Sequence, residues 1–174
     1  MKKAIFLCVA MMAIGSLSFA QNGAFKNGDK LLNVGIGVNS YYSGGIPVGA
    51  SFEVGVTDDI SVGGNIDFLS SNYGAGAGAK FTAIYFGARA NYHFNEILNI
   101  NNDQVDVYGG LTLGYRSFSW KDNFGGYLGN AYKSGLYLGA LVGGKYYFTD
   151  NIGAFLELGA IGSTNARIGV AFKL

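Results

Sequence analysis

Ala166-Arg167-Ile168-Gly169-Val170-Ala171-Phe172-Lys173-Leu174 alternates apolar and small or charged residues without a break. Successive strand side chains point to opposite faces, so Ala166, Ile168, Val170, Phe172 and Leu174 share one face and Arg167, Gly169 and Lys173 the other. The same pattern begins the chain's folded part, where Leu32, Val34, Ile36 and Val38 oppose Asn33, Gly35, Gly37 and Asn39. Between these two segments it recurs six more times. The alternation predicts eight strands at about residues 30–40, 48–56, 60–68, 81–94, 105–115, 135–148, 152–161 and 165–174. No helix-period segment competes with them, and the even spacing favours an all-β meander.

Period-two alternation alone does not say which face meets the solvent. A soluble up-and-down barrel of the lipocalin kind turns its apolar face inward, whereas a membrane barrel turns it outward. Glycine decides between them. Gly35, Gly49, Gly63, Gly87, Gly114, Gly143 and Gly169 all lie on the polar face. A water-facing strand gains nothing from glycine, but the interior of an eight-stranded barrel is so narrow that small residues are needed there. The apolar face also gathers aromatics at strand ends, as membrane barrels do at the two lipid–water interfaces. Phe68, Phe86 and Tyr115 are expected at one rim, and Tyr92, Phe94, Tyr146, Phe148 and Phe172 at the other. An amphipathic last strand allows closure, which removes edges whose unpaired groups would cost several kcal/mol each in lipid, to order of magnitude.

The N-terminus has a different character. Lys2 and Lys3 precede an apolar run to about Ile14, and Ser18-Phe19-Ala20 places small residues where a signal peptidase cuts. Residues 1–20 are therefore expected to be a secretory signal peptide, leaving 21–174 as one barrel domain. The run is too short to span a bilayer as a helix. The one cysteine, Cys8, falls within it, so thiol and disulfide chemistry are not expected of the mature chain. Removing the leader leaves ten basic against eleven acidic residues with no basic cluster, which argues against nucleic acid. With 29 glycines but a single proline, Pro47, and no triplet period, the composition excludes collagen and disorder.

Leader, strands and the repeated turn style of Tyr146-Tyr147-Phe148-Thr149-Asp150-Asn151-Ile152-Gly153, echoed by Val56-Thr57-Asp58-Asp59-Ile60, together resemble the small eight-stranded outer-membrane barrels of the OmpA/OmpX type, in the form common among Bacteroidetes. The resemblance covers 21–174. It implies an eight-stranded antiparallel up-and-down transmembrane β-barrel, all-β, in the outer membrane of a Gram-negative bacterium. It also implies outer-membrane lipid as surroundings and the barrel-assembly machinery as a transient partner. The family's usual last residue is an aromatic; here Leu174 ends the chain and Phe172 stands two before it.

Connections alternate in length. Residues 57–59 and 149–151 read as tight turns, whereas 69–79 and 117–133 read as long outer loops. The 95–104 connection is long for a periplasmic turn, and 162–164 is short for an outer one. Glu53, Arg89, Lys145, Glu157 and Arg167 all fall on the inward register at similar heights, so they are expected to form one mid-barrel charge network that plugs the lumen. Lys145 and Glu157 are expected to be close across their tight turn. His93, the single histidine, is expected to face Asp106 at the periplasmic rim. Phe118, Trp120, Phe124, Tyr127 and Tyr132 read as rim anchors lying on headgroups, or else as a binding surface. No catalytic residue, metal or cofactor is expected. The function these readings imply is a monomeric, non-enzymatic structural or surface-contact barrel. The alternatives are a narrow channel for small or hydrophobic solutes and, behind it, a lipid A-modifying enzyme.

Overall fold

The computed structural model describes residues 24–42, 44–73, 79–121 and 132–174. The expected leader, Cys8, Phe124 and Tyr127 lie outside the described residues. Eight strands, β1 (Lys30–Gly37), β2 (Val48–Gly55), β3 (Ile60–Tyr73), β4 (Ala79–His93), β5 (Val105–Lys121), β6 (Gly135–Tyr147), β7 (Ile152–Ile161) and β8 (Thr164–Lys173), pair antiparallel in chain order. β8 returns to β1, with Leu31 opposite Lys173 and Gly37 opposite Arg167, and the barrel closes.

The alternation is realised with its apolar face outward. Val34, Ile36, Leu111, Leu113 and Val142 are exposed, and Leu136 and Leu138 are 78% and 73% exposed. On the inward register Asn33, Glu53, Arg89, Asp106 and Glu157 are buried. A chain with ionic groups inside and leucine outside is inverted relative to a water-soluble protein. From Phe94, just past the end of β4, down to Ile84 the outward apolar register spans ten residue steps. That is about 33 Å of strand and, at a tilt of roughly 40°, about 25 Å of barrel height, which matches the apolar band of an outer-membrane barrel.

The expected aromatics lie on this wall in pairs. Tyr92 meets Phe94 at 5.1 Å, Tyr146 meets Phe148 at 5.7 Å, and Phe86 meets Tyr115 at 6.1 Å between ring centres. Phe68 is exposed near the same end as Phe86, and Phe172 is half-buried near the chain's end.

The tight turns share one chemistry. Thr57 Oγ1 accepts the Ile60 amide at 2.9 Å, and Thr149 Oγ1 accepts the Ile152 amide at 3.1 Å. The β4–β5 connection is long but folds back on itself. The Asn95 side chain donates to the Val105 carbonyl and accepts from the Val107 amide, standing in for a strand partner. At the other end Gly162 takes a φ of 65° in the two-residue turn joining Ile161 to Thr164. A hairpin turn of this length needs such a residue, and glycine adopts it without strain.

Two expected loops are corrected. Residues 69–73 belong to β3 and 117–121 to β5, so β3, β4 and β5 run well beyond the apolar band. Ser70 pairs with Thr82, and Thr82 with Ser119. Serine and glycine there read as loop, yet hydroxyl side chains suit a strand that has left the lipid. The first strand is shorter than expected, ending at Gly37.

Candidate functional site

The described chemistry-bearing side chains concentrate inside the barrel, in three connected layers. In the middle layer Arg89 of β4 reaches Glu53 of β2 at 3.1 Å and Glu157 of β7 at 2.5 Å. Its guanidinium therefore links three strands across the lumen. Glu53 also accepts from Ser51 at 3.1 Å, from Ser61 at 2.8 Å and from the Asn91 amide. Glu157 accepts from the Tyr108 hydroxyl at 2.9 Å. Buried carboxylates persist only when their lone pairs are taken up in this way.

Tyr108 separates this layer from the next. Its ring lies 5.8 Å from the Arg89 guanidinium carbon and 4.4 Å from the Lys145 ammonium. The ring also rests against the backbone of Gly143, where an added Cβ would come within 2.5 Å of it.

In the layer nearest the Thr57 turn Asp106 accepts from Lys145 at 3.2 Å and from His93 Nδ1 at 2.7 Å. His93 Nε2 lies 3.0 Å from Ser61 Oγ. Asp106, His93 and Ser61 thus line up in the order of a nucleophilic triad. Ser61 has one hydroxyl proton, however, and the Glu53 carboxylate accepts it at 2.8 Å. All three side chains are buried, and Phe25 stacks on the His93 ring at 3.5 Å with a 6° tilt. That stacking caps the layer from below. Phe25 is held there because Gly28 donates to the Gly55 carbonyl and Gly55 to that of Asp29, while Lys173 reaches the Ala24 carbonyl and Asp29.

In the outer layer Arg167 pairs with Asp67, and Asp67 accepts the Ser163 amide at 3.0 Å. Gly49 leaves the room the Arg167 guanidinium occupies. Above it Leu69, Phe81, Ala83 and Tyr85 form a buried cluster, with Tyr42, Phe118, Trp120 and Tyr137 packed against it. Tyr42 and Tyr85 share a hydroxyl–hydroxyl contact, and burial raises the Tyr42 phenol above its ordinary range.

Of the expected charge set, Glu53, Arg89 and Glu157 meet directly. Lys145 and Arg167 do not join them. Lys145 turns to Asp106 rather than Glu157, whose β6 register partner is Gly143, and Arg167, although directly opposite Glu157 in the β7–β8 register, makes its ion pair with Asp67. The single layer becomes three because Asp67 and Asp106 offer nearer counter-charges. Three fixed cations and His93 thereby face four carboxylates. His93 and Asp106 meet in direct contact. Phe118 and Trp120 pack inward over the cluster instead of lying on headgroups, because β5 continues beyond the band, and the Tyr132 ring packs against both. Sequence reasoning missed Ser61, Asn91 and Tyr108 as members, although all three sit on the inward register. Phe25 had no periodic signal to reveal it. Among the described residues no group of three or more His, Cys, Asp or Glu side chains is placed to hold a metal ion.

Solved structures share this architecture. OprG from Pseudomonas aeruginosa superposes with a TM-score of 0.57 at 13% identity, covering 86% of this chain and 97% of that one. The N-terminal β-barrel domain of Pseudomonas aeruginosa OprF gives 0.53 at 17% identity, covering 86% and 98%. The Yersinia pestis outer membrane protein Ail, determined in a phospholipid nanodisc, gives 0.50 at 15% identity, covering 85% and 100%. The fold is that of the small eight-stranded outer-membrane barrels. No protein-family model and no curated protein sequence matches the chain.

Proposed function

We propose that this chain is an outer-membrane barrel of the Gram-negative envelope with a structural or surface-contact role, its lumen plugged by its own ion pairs. The observation that carries this reading is the Glu53–Arg89–Glu157 bridge, which ties β2, β4 and β7 together across the interior. Moving solute through it would require separating buried charges, each costing several kcal/mol to order of magnitude. Phe25 below and the Phe81 cluster above support the same reading. Planar-bilayer recording of the refolded protein tests it. The wild type is expected to give no steady current, and steady wild-type pores would replace the plug with a narrow channel.

The role is also proposed to be non-enzymatic. Ser61 is buried and its proton is committed to Glu53, so the Asp106–His93–Ser61 line has no free nucleophile. Lipid A mass spectra from cells carrying His93→Ala are expected to equal those of wild type. An altered acyl pattern would restore the enzyme reading.

A further inference from the structure

The outer wall of β3, β4 and β5 changes in three steps on leaving the apolar band. Phe86 opposite Tyr115 gives way to Ile84 opposite Ser117, then to Thr82 opposite Ser119, with Ser70 beside Thr82. The next outward pair is Lys80 opposite Lys121. Both lysines are exposed on the outside, since the neighbouring Phe81 and Trp120 belong to the inward cluster. Among the described residues neither makes an ion pair.

Like charges placed directly opposite on adjacent strands destabilise the pairing. Lys133 adds a third exposed cation nearby. Tyr132 before it stacks on Trp120 at 5.6 Å, and Ser134 after it accepts the Phe118 amide at 2.9 Å. The exposed or half-exposed carboxylates Asp58, Asp59, Glu96, Asp103 and Asp150 all lie at the opposite end. At the lysine end, Asp67 is buried against Arg167, and Asp122 lies outside the described residues. That opposite end also carries Lys26, Lys30 and Lys173, which its carboxylates outnumber, so the described barrel is polarised, positive where the long strands emerge.

We propose that Lys80 and Lys121, assisted by Lys133, bind the phosphate group of an anionic lipid headgroup in the outer leaflet. The depth agrees. Lys80 is four residues past Ile84, about 10 Å further along the barrel axis at the tilt given above. The headgroup layer is roughly 5–8 Å thick, and lysine stems reach back towards it. A phosphate bridging the two ammonium groups converts their repulsion into attraction, and the Thr82 and Ser119 hydroxyls lie on the same face just below. The inference rests on the outer wall facing lipid.

Native mass spectrometry of the refolded protein in micelles holding equal phosphatidic acid and phosphatidylcholine tests it. Wild type is expected to retain phosphatidic acid preferentially, and preference falls about fivefold for each lysine removed in Lys80→Gln/Lys121→Gln. Lys80→Arg/Lys121→Arg is expected to keep it. Should the double variant fail to fold, Lys80→Gln alone is expected to lower preference by about fivefold. Equal preference in wild type and the glutamine variants overturns the proposal. So does a site that inositol hexakisphosphate fills while phosphatidic acid does not, since that marks a soluble anion. Insertion of the variants into pure phosphatidylcholine vesicles leaves the membrane reading intact whichever way phosphate binding falls, whereas a wild type that stays in water would remove that reading itself.

Discussion

Between the Glu53–Arg89 layer and the Leu69–Phe81 cluster, the interior of one barrel changes from ion pairs to aromatic rings. In the half that holds the Thr57 and Thr149 turns, inward side chains meet across the lumen at hydrogen-bonding range. Charges there must match in number and geometry. The outer half belongs to β3, β4 and β5 after they have left the apolar band, and Tyr42 folds in from the β1–β2 connection to help fill it. Rings need contact area rather than exact partners. The two halves should therefore respond differently to substitution, the first abruptly and the second gradually.

The largest effect is expected from Arg89→Met, which strands Glu53 and Glu157 without their cation. It should cost about 3–5 kcal/mol, read as a lower urea midpoint for unfolding in micelles. Recovery on adding Glu53→Gln and Glu157→Gln would sharpen the contrast, and an unchanged midpoint in Arg89→Met would break it. Gly143→Ala pushes a methyl into the Tyr108 ring, and overpacking of this kind costs about 1–3 kcal/mol by the same measurement. In the outer half, Tyr85→Phe removes the hydroxyl's contacts with Tyr42 and Arg116 and should cost about 1–2 kcal/mol.

Phe25→Ala is expected to open His93 to diethyl pyrocarbonate, with the wild-type histidine protected. The smallest effect concerns pH. Burial, the largest cause, raises the Tyr42 phenol, so the folded state holds its proton longer than the unfolded chain does. Stability from this group is complete below the ordinary tyrosine range and is lost as pH rises through the raised value. Tyr42→Phe should therefore flatten the alkaline end of the stability profile, with tyrosinate absorbance as the check.

Much of the fold was legible because period two, glycine placement and turn chemistry are local. Ile152–Ile161 read as a strand without error, and the Thr57 and Thr149 turns could be recognised as the same device. The outer ends of β3 and β5 were not legible. Ser70, Ser71 and Ser119 look like loop when strand is taken to mean greasy, and a strand that has left lipid no longer needs to be. The candidate site was legible as a set of inward residues and illegible as a set of partners. Lys145 could have met Glu157 by sequence distance, but met Asp106 instead.

The amino-acid order by itself determined which residues share a face, because a strand's alternation is a property of its own backbone, and glycine on the polar face marked that face as the one turned into the narrow lumen. It determined the number of strands and the tight turns for the same reason. Which cation meets which carboxylate was decided only by closure, since Glu53, Arg89 and Glu157 come from three strands and meet across the interior. The seat of Phe25 on His93 was decided there as well, because a short segment without periodicity acquires a position only when the barrel mouth it fills exists.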